Sequence, residues 1–222
     1  MRFNGRQLLS DSIAVETRRS VRLLSILRSA QVTGLFPVPG AAIHTIAYLA
    51  DALSPVWGLP LLDSHVLKNR TRPNFPALQR DLDILVARGM VEVRDLSFSS
   101  IVDDEAPIRA SFGLTPLASH SLDLIETSTY FSREFDFVRE VSFAAAALGP
   151  EGLAGIGTVD ASYADPFADV GSVIELGHAP SNGRTTSEVA EKFRDLAPGA
   201  NLTDAQLVHL YLRHLYSRLS VA

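Results

Sequence analysis

The chain has 222 residues, of which 46% are hydrophobic and 20% charged; that is enough for a core and too few charges for a disordered chain. It has no cysteine, which excludes disulfides, zinc ribbons and thiol catalysis. The net charge is −5 and uneven: residues 1–100 hold 12 basic and 8 acidic side chains, whereas residues 101–222 hold 8 and 17. A chain with this balance is a poor general binder of nucleic acid, because phosphate affinity scales with the cations presented. A local basic patch in the first half remains open.

The first twenty residues, "MRFNGRQLLSDSIAVETRRS", have no long apolar centre and no small-residue cleavage site. No apolar run is long enough to cross a bilayer. The sequence therefore predicts a cytoplasmic protein with no membrane partner.

The spacing predicts an amphipathic helix over 16–33, with Thr17 as N-cap and Gly34 as stop. Leu23, Ile26, Leu27 and Ala30 share its apolar face, with Arg18, Arg22, Ser25 and Ser29 opposite. A mostly apolar second helix follows over 41–53. Residues 54–75 are rich in proline and turn formers and read as an irregular insertion with one helical turn. It ends in "KNRTR", the densest basic run in the chain.

"PALQRDLDILVARGMVEVRD" then reads as helix, glycine stop and strand. Asn74 is the predicted N-cap, Pro76 lies in the first turn, and Gly89 is the C′ residue. "MVEVRDLSF" and "IRASFGL" are the two strands of a hairpin, with Asp103, Asp104 and Glu105 at its solvated tip. Thr115-Pro116 opens another helix. A longer one is predicted over 130–148. Residues 149–183 read as a long loop with one or two short strands. "TTSE" at 185–188 and "TDAQ" at 203–206 are capping boxes that open two closing helices.

This order predicts a mainly α protein of the α+β class: a winged helix-turn-helix with additional C-terminal helices. The winged-helix domain spans 1–129 with its insertion at 54–75. A helical region with the long loop spans 130–222.

Catalytic signals are sparse. "GLAGIG" matches no phosphate-binding loop and reads as flexible. His209 and His214 are five apart and do not share a helical face as zinc ligands would. His44 reads as a satisfied core histidine. Asp160 and Asp165 flank Tyr163, a pair that suits acid–base chemistry but more often forms turns. The sequence thus predicts no enzyme activity, no cofactor and no metal.

DNA reading by the helix over 76–87 needs donors on its exposed face. Gln79, Arg80 and Arg88 qualify, but Asp81 and Asp83 put negative charge there. Lys68, Arg70 and Arg72 precede the helix and, with Arg80, are the candidates for nucleic-acid contact. The balance favours a structural or protein-binding winged helix over a DNA reader. In the terminal helix, eight of the thirteen residues from Leu207 to Leu219 are Leu, Val or Tyr, spread over more than one face. That pattern fits either a well-buried terminal helix or one shared with another subunit.

The combination of "RRSVRLLSILRSA", "IHTIAYLADALSPVWGLPLL", "PALQRDLDILVARGMVEV", "FGLTP", "DASYADPFADVGSVIEL" and "LVHLYLRHLYSRL" resembles the middle component of bacterial ABC-three-component conflict systems. The resemblance covers residues 18 to 218 and rests on hydrophobic patterns rather than catalytic signatures. It implies an accessory subunit, without enzyme activity, that joins an ABC- or SMC-like ATPase to an effector subunit in anti-phage or anti-plasmid defence. DNA would be met through the assembled complex. On that reading the partner surface is predicted at Arg18, Arg19 and Arg22 on the N-terminal helix and at Tyr211, Leu215 and Tyr216 on the terminal one. A winged-helix transcription regulator is the alternative, and an enzyme built around Tyr163 a third reading.

Overall fold

The computed structural model of the chain describes residues 5–70, 72–98, 108–153, 155–164, 168–178 and 183–220. Helix α1 spans Gly5–Val32. It starts well before Thr17 because nothing between 5 and 20 interrupts it: the stretch has no proline and no glycine after its first residue. It ends where Gly34 takes a left-handed conformation (φ 82°) and Leu35 N–H returns to the Ala30 carbonyl at 2.9 Å.

Leu23, Ile26, Leu27 and Ala30 are fully buried, as their spacing predicts. The opposite face is buried as well: Arg19, Arg22, Ser25 and Ser29 all lie inside the protein. So α1 is a central helix rather than a surface one. It packs against α2 (Gly40–Leu53), α3 (Pro76–Ala87), α4 (Pro116–Glu126) and α5 (Thr129–Ala146).

Two small antiparallel sheets accompany the helices, giving a mainly helical α+β architecture. The first joins β1 (Val38–Pro39), β5 (Ile108–Leu114) and β4 (Val91–Phe98) in the order β1-β5-β4. Helix α3 enters it through Gly89 (φ 68°), with Met90 N–H bonded to the Leu85 carbonyl at 2.9 Å. The β4–β5 register shifts between Val93 and Asp95. Three residues apart on a regular strand, Val93 and Leu96 would face opposite sides; the irregularity turns them to the same one. The hairpin tip with Asp103, Asp104 and Glu105 lies outside the described residues.

The second sheet runs β3 (Pro73–Asn74), β2 (His65–Lys68) and β6 (Val173–Glu175). Residues 54–75 are therefore not wholly irregular: a 3-10 turn over Ser54–Trp57 is followed by two strands, and β6 from beyond residue 170 completes their sheet. Between α5 and β6 come a short helix α6 (Gly149–Leu153) and a 3-10 turn over Ile156–Val159. The chain closes with α7 (Thr186–Leu196) and α8 (Asp204–Leu219), each opened by the capping box visible in the sequence.

One apolar cluster takes residues from α1, α2, α3, β5, α5 and α8 alike, including Leu27, Tyr48, Leu82, Phe112, Val138 and Leu212. Both halves of the chain contribute to a shared core. No helix among the described residues is long and apolar enough to cross a membrane.

Candidate binding cleft

A cleft of about 1330 Å³ opens on the side of the first sheet, between the start of α2 and α3. Val93, Leu96, Ala110 and Phe112 contribute its sheet surface, and Phe36 and Pro37 its apolar edge. Gln79, Asp83 and Val86 line it from α3, and Arg70, Arg72 and Asn74 from the segment that precedes α3. Arg109 of β5 adds a third guanidinium. Asp83 is the single carboxylate among the described lining residues. Among the described lining residues arginines outnumber carboxylates, in a protein whose net charge is −5.

Its polar face on α3 is already engaged. The N–H of Phe75 donates to His44 Nδ1 at 3.3 Å, so the ring proton sits on Nε2 and donates to Gln79 Oε1, also at 3.3 Å. Gln79 Nε2 in turn donates to Asp83 Oδ1 at 2.9 Å. Burial holds the His44 pKa below its usual value, opposed by the bond to Gln79, and the nearby Arg72 charge lowers it further. His44 is thus a neutral, satisfied core histidine, as its apolar neighbours in the sequence predict. Phe75, rather than Asn74, is the N-cap of α3 and offers no side-chain cap, with Pro76 in the first turn.

The arginine-bearing segment is held from below by Tyr163. Its hydroxyl accepts from the N–H of Asn69 at 2.9 Å and donates to the carbonyls of Arg72 at 2.7 Å and Asn69 at 2.9 Å. The ring stands edge-on to Tyr48, with centroids 5.6 Å apart, and Lys68 Nζ lies 6.0 Å from its centre. Burial raises the Tyr163 pKa to about 12, against the opposing bond from Asn69. The hydroxyl therefore stays protonated and able to donate.

Tyr163 is fixed in turn by Asp160, which is fully buried. Its Oδ1 accepts from the hydroxyl of Tyr48 and from the N–H groups of Ser162 at 3.0 Å and Tyr163 at 3.3 Å. Oδ2 accepts from the Tyr211 hydroxyl at 2.6 Å, and Thr186 Oγ1 donates to the carboxylate at 2.7 Å. Burial first, and the Asp160 charge second, push the pKa values of Tyr48 and Tyr211 well above the ordinary tyrosine range. An enclosed carboxylate with this many donors has no open lone pair for acid–base work. Asp160 therefore ties α2, α7 and α8 to the loop that carries Tyr163. Asp165 lies outside the described residues.

The arginines of α1 stand elsewhere than the sequence predicts. Arg19 pairs with Asp81 through Nε and with Asp63 through Nη1 at 3.3 Å. Arg22 reaches Asp51 at 2.5 Å and Glu134 at 2.9 Å, and Arg18 meets Glu134 at 3.2 Å. These arginines join α1 to α2, α3 and α5 inside the protein, so Arg19 and Arg22 present nothing to a partner. Asp81 is likewise buried and adds no charge to the exposed face of α3.

Tyr211 and Leu215 are completely buried and belong to the core. Tyr216 is 41% exposed and its ring lies against Gly152, where a Cβ would come within 2.7 Å of it. Of the residues predicted for nucleic acid, Arg70 and Arg72 line the cleft. Lys68 lies by Tyr163, and Arg80 points away toward Glu16 at 3.6 Å. Arg109, Phe36 and Leu96 have no signal in the sequence that would single them out.

No protein-family model and no curated protein matches this chain. Among the described residues, no group of three or more His, Asp or Glu side chains stands close enough to hold a metal ion. The cleft sets guanidinium groups beside an apolar sheet surface.

Proposed function

We propose that the chain is a non-catalytic, cytoplasmic accessory subunit of a bacterial ABC-three-component defence system, built on a winged helix and binding an ABC- or SMC-like ATPase together with an effector subunit. The order α1, β1, α2, α3, β4, β5, with β1 added beside the hairpin, supports the winged-helix reading. The sequence motifs carry the resemblance to the family.

The observation that carries the choice of protein over DNA as partner is the chain of hydrogen bonds from His44 through Gln79 to Asp83. A helix that reads a major groove needs its amide and guanidinium donors turned outward to base edges. Here Gln79 is turned to its neighbours, and the carboxylate of Asp83 stands in the same place. The apolar sheet face beside it suits protein better than phosphate.

Affinity purification of the tagged chain, co-expressed with its neighbouring genes and read by mass spectrometry, tests this. Recovery of a large ATPase in fixed ratio is the expected result. A chain that comes down alone and binds its own upstream DNA with a steep salt dependence would instead be a transcription regulator.

A further inference from the structure

We propose that the cleft beside α3 takes an acidic segment of a partner protein that carries at least one large apolar side chain. The proposal rests on reading the chain as a partner-binding subunit, and it names the chemistry of what is bound.

Three features lead to it. The volume, about 1330 Å³, exceeds the roughly 300–1,000 Å³ of ordinary small-molecule pockets and suits a length of polypeptide. The charge is complementary to carboxylates: Arg70 and Arg72 line the cleft, and its one described carboxylate, Asp83, is already engaged by Gln79. The remaining surface is apolar, with Leu96 60% exposed and Phe36 and Phe112 beside it. Guanidinium forks pair with carboxylates two bonds at a time, so the cations fix register and sign while the apolar face supplies buried area.

The backbone that bears two of these cations is preset. Tyr163 binds Asn69 and Arg72 through three main-chain contacts, so the backbone at these two residues is already fixed when the partner arrives. Tyr163 is thus a positioning residue, and it touches the ligand only through the segment it holds.

A nucleic-acid strand would also seek the arginines. Its evenly charged backbone has nothing to pair with along the apolar surface of Val93, Leu96 and Ala110, whereas a peptide can set an apolar side chain there.

The test uses the full-length chain on an array of overlapping 15-residue peptides that covers the products of the neighbouring genes. Bound peptides are expected to be acidic and to contain Phe, Leu, Ile or Trp. Binding should fall at least tenfold in the double variant R70E/R72E and also in Leu96→Asp, and persist in Arg80→Glu, which lies off the cleft. Thermal melting of each variant checks that it is folded. In Tyr163→Phe, binding should weaken chiefly through slower association, because the segment must be ordered on contact, a change that loss of an ordinary structural bond would not produce.

An array with no bound peptide, peptides that are basic or neutral, or acidic peptides whose binding R70E/R72E leaves intact would each overturn the proposal. So would tighter binding of a 20-base single-stranded DNA than of any peptide, abolished by the same variant. If the ATPase complex forms but survives R70E/R72E, the cleft assignment fails and the subunit reading stands. If acidic peptides bind but no complex forms, the reverse holds.

Discussion

The hydroxyl of Tyr163 donates to the carbonyl of Arg72 at 2.7 Å across 91 residues of sequence. A hydroxyl has one proton, so this short bond is the principal donation and the Asn69 carbonyl shares it at 2.9 Å. The contact sets the course of the segment that places Arg70 and Arg72 at the cleft.

Removing that hydroxyl should loosen the segment without unfolding the protein. Tyr163→Phe leaves the ring against Tyr48 but strips a partner from the Asn69 N–H and the Arg72 carbonyl. A loss of about 1–3 kcal/mol in stability is expected from such an exchange. Amide exchange at Asn69 should accelerate while that of Leu82, deep in α3, follows global stability only. Unchanged exchange at Asn69 would show that Tyr163 does not hold the segment.

The carboxylate of Asp160 should matter more than any single tyrosine around it. Asp160→Ala leaves the hydroxyls of Tyr48 and Tyr211 buried without their acceptor and Thr186 with Ser162 Oγ at 3.0 Å alone. The expected cost is on the order of 3–5 kcal/mol, against about 1–2 kcal/mol for Tyr211→Phe, which removes one donor and the long 3.4 Å bond from the Ala161 N–H. Urea titration of the two variants compares them directly. Equal, small effects would mean that the hub is not what joins α2, α7 and α8.

Asp81→Ala should destabilise the chain by about 3 kcal/mol or more, because it strands Arg19 with Asp63 alone. Arg80→Ala, one residue away but exposed, should change stability by less than about 0.5 kcal/mol. The pair is measured by thermal melting, and a similar effect of the two would place Arg19 at the surface after all.

Burial raises the pKa of Asp51 from 3.8 to about 6, opposed by Arg22 and by the N–H groups of Leu62 and Asp63 and aided by the Asp63 charge. Between those values the folded chain binds a proton that the unfolded chain has released. Asp51 therefore favours the fold below pH 3.8, and its contribution is lost as pH rises through 6. Asp51→Asn should remove this slope: relative to wild type, it should gain stability from pH 4 to pH 7, by up to about 3 kcal/mol at 1.36 kcal/mol per unit. His44 acts in the opposite sense. Its lowered pKa means stability present above pH 6.5 and lost as pH falls below it. Parallel stability–pH curves for wild type and Asp51→Asn would contradict the assignment of Asp51.

The parts legible in the sequence are those set by local chemistry. The glycine after α3, the Thr115-Pro116 start of α4 and the two capping boxes each sit within a few residues of the structure they specify. The placement of Arg19 and Arg22 is not local. A helical wheel puts them on the polar side of α1, and only their pairing with Asp51, Asp63, Asp81 and Glu134 brings that side indoors. Those partners lie 29 to 112 residues away. A signal did exist: Asp51 stands in an otherwise apolar helix, "AAIHTIAYLADAL", where a lone carboxylate calls for a buried cation.

Strands β2 and β3 are too short to show an alternating pattern, and their sheet is completed by β6 from a hundred residues on. The cleft is similarly dispersed. Arg70 and Arg72 stand out as a basic run, but Arg109, Phe36 and Leu96 meet them only through the sheet. Tyr211 and Leu215 lie on the most apolar face of α8, a face that suits core and interface equally well. The buried Asp160 beneath Tyr211 decides for core.

Hydrogen–deuterium exchange of the chain, alone and in the complex purified with its neighbouring gene products, reads out which surface the partner covers. Protection is expected to concentrate on residues 36–45, 70–79 and 109–112, which supply most of the cleft lining, with α7 and α8 unchanged. Protection confined to the exposed face of α4 around Leu117 and Leu124, or to α8 around Tyr216, would contradict it and move the partner surface away from the cleft.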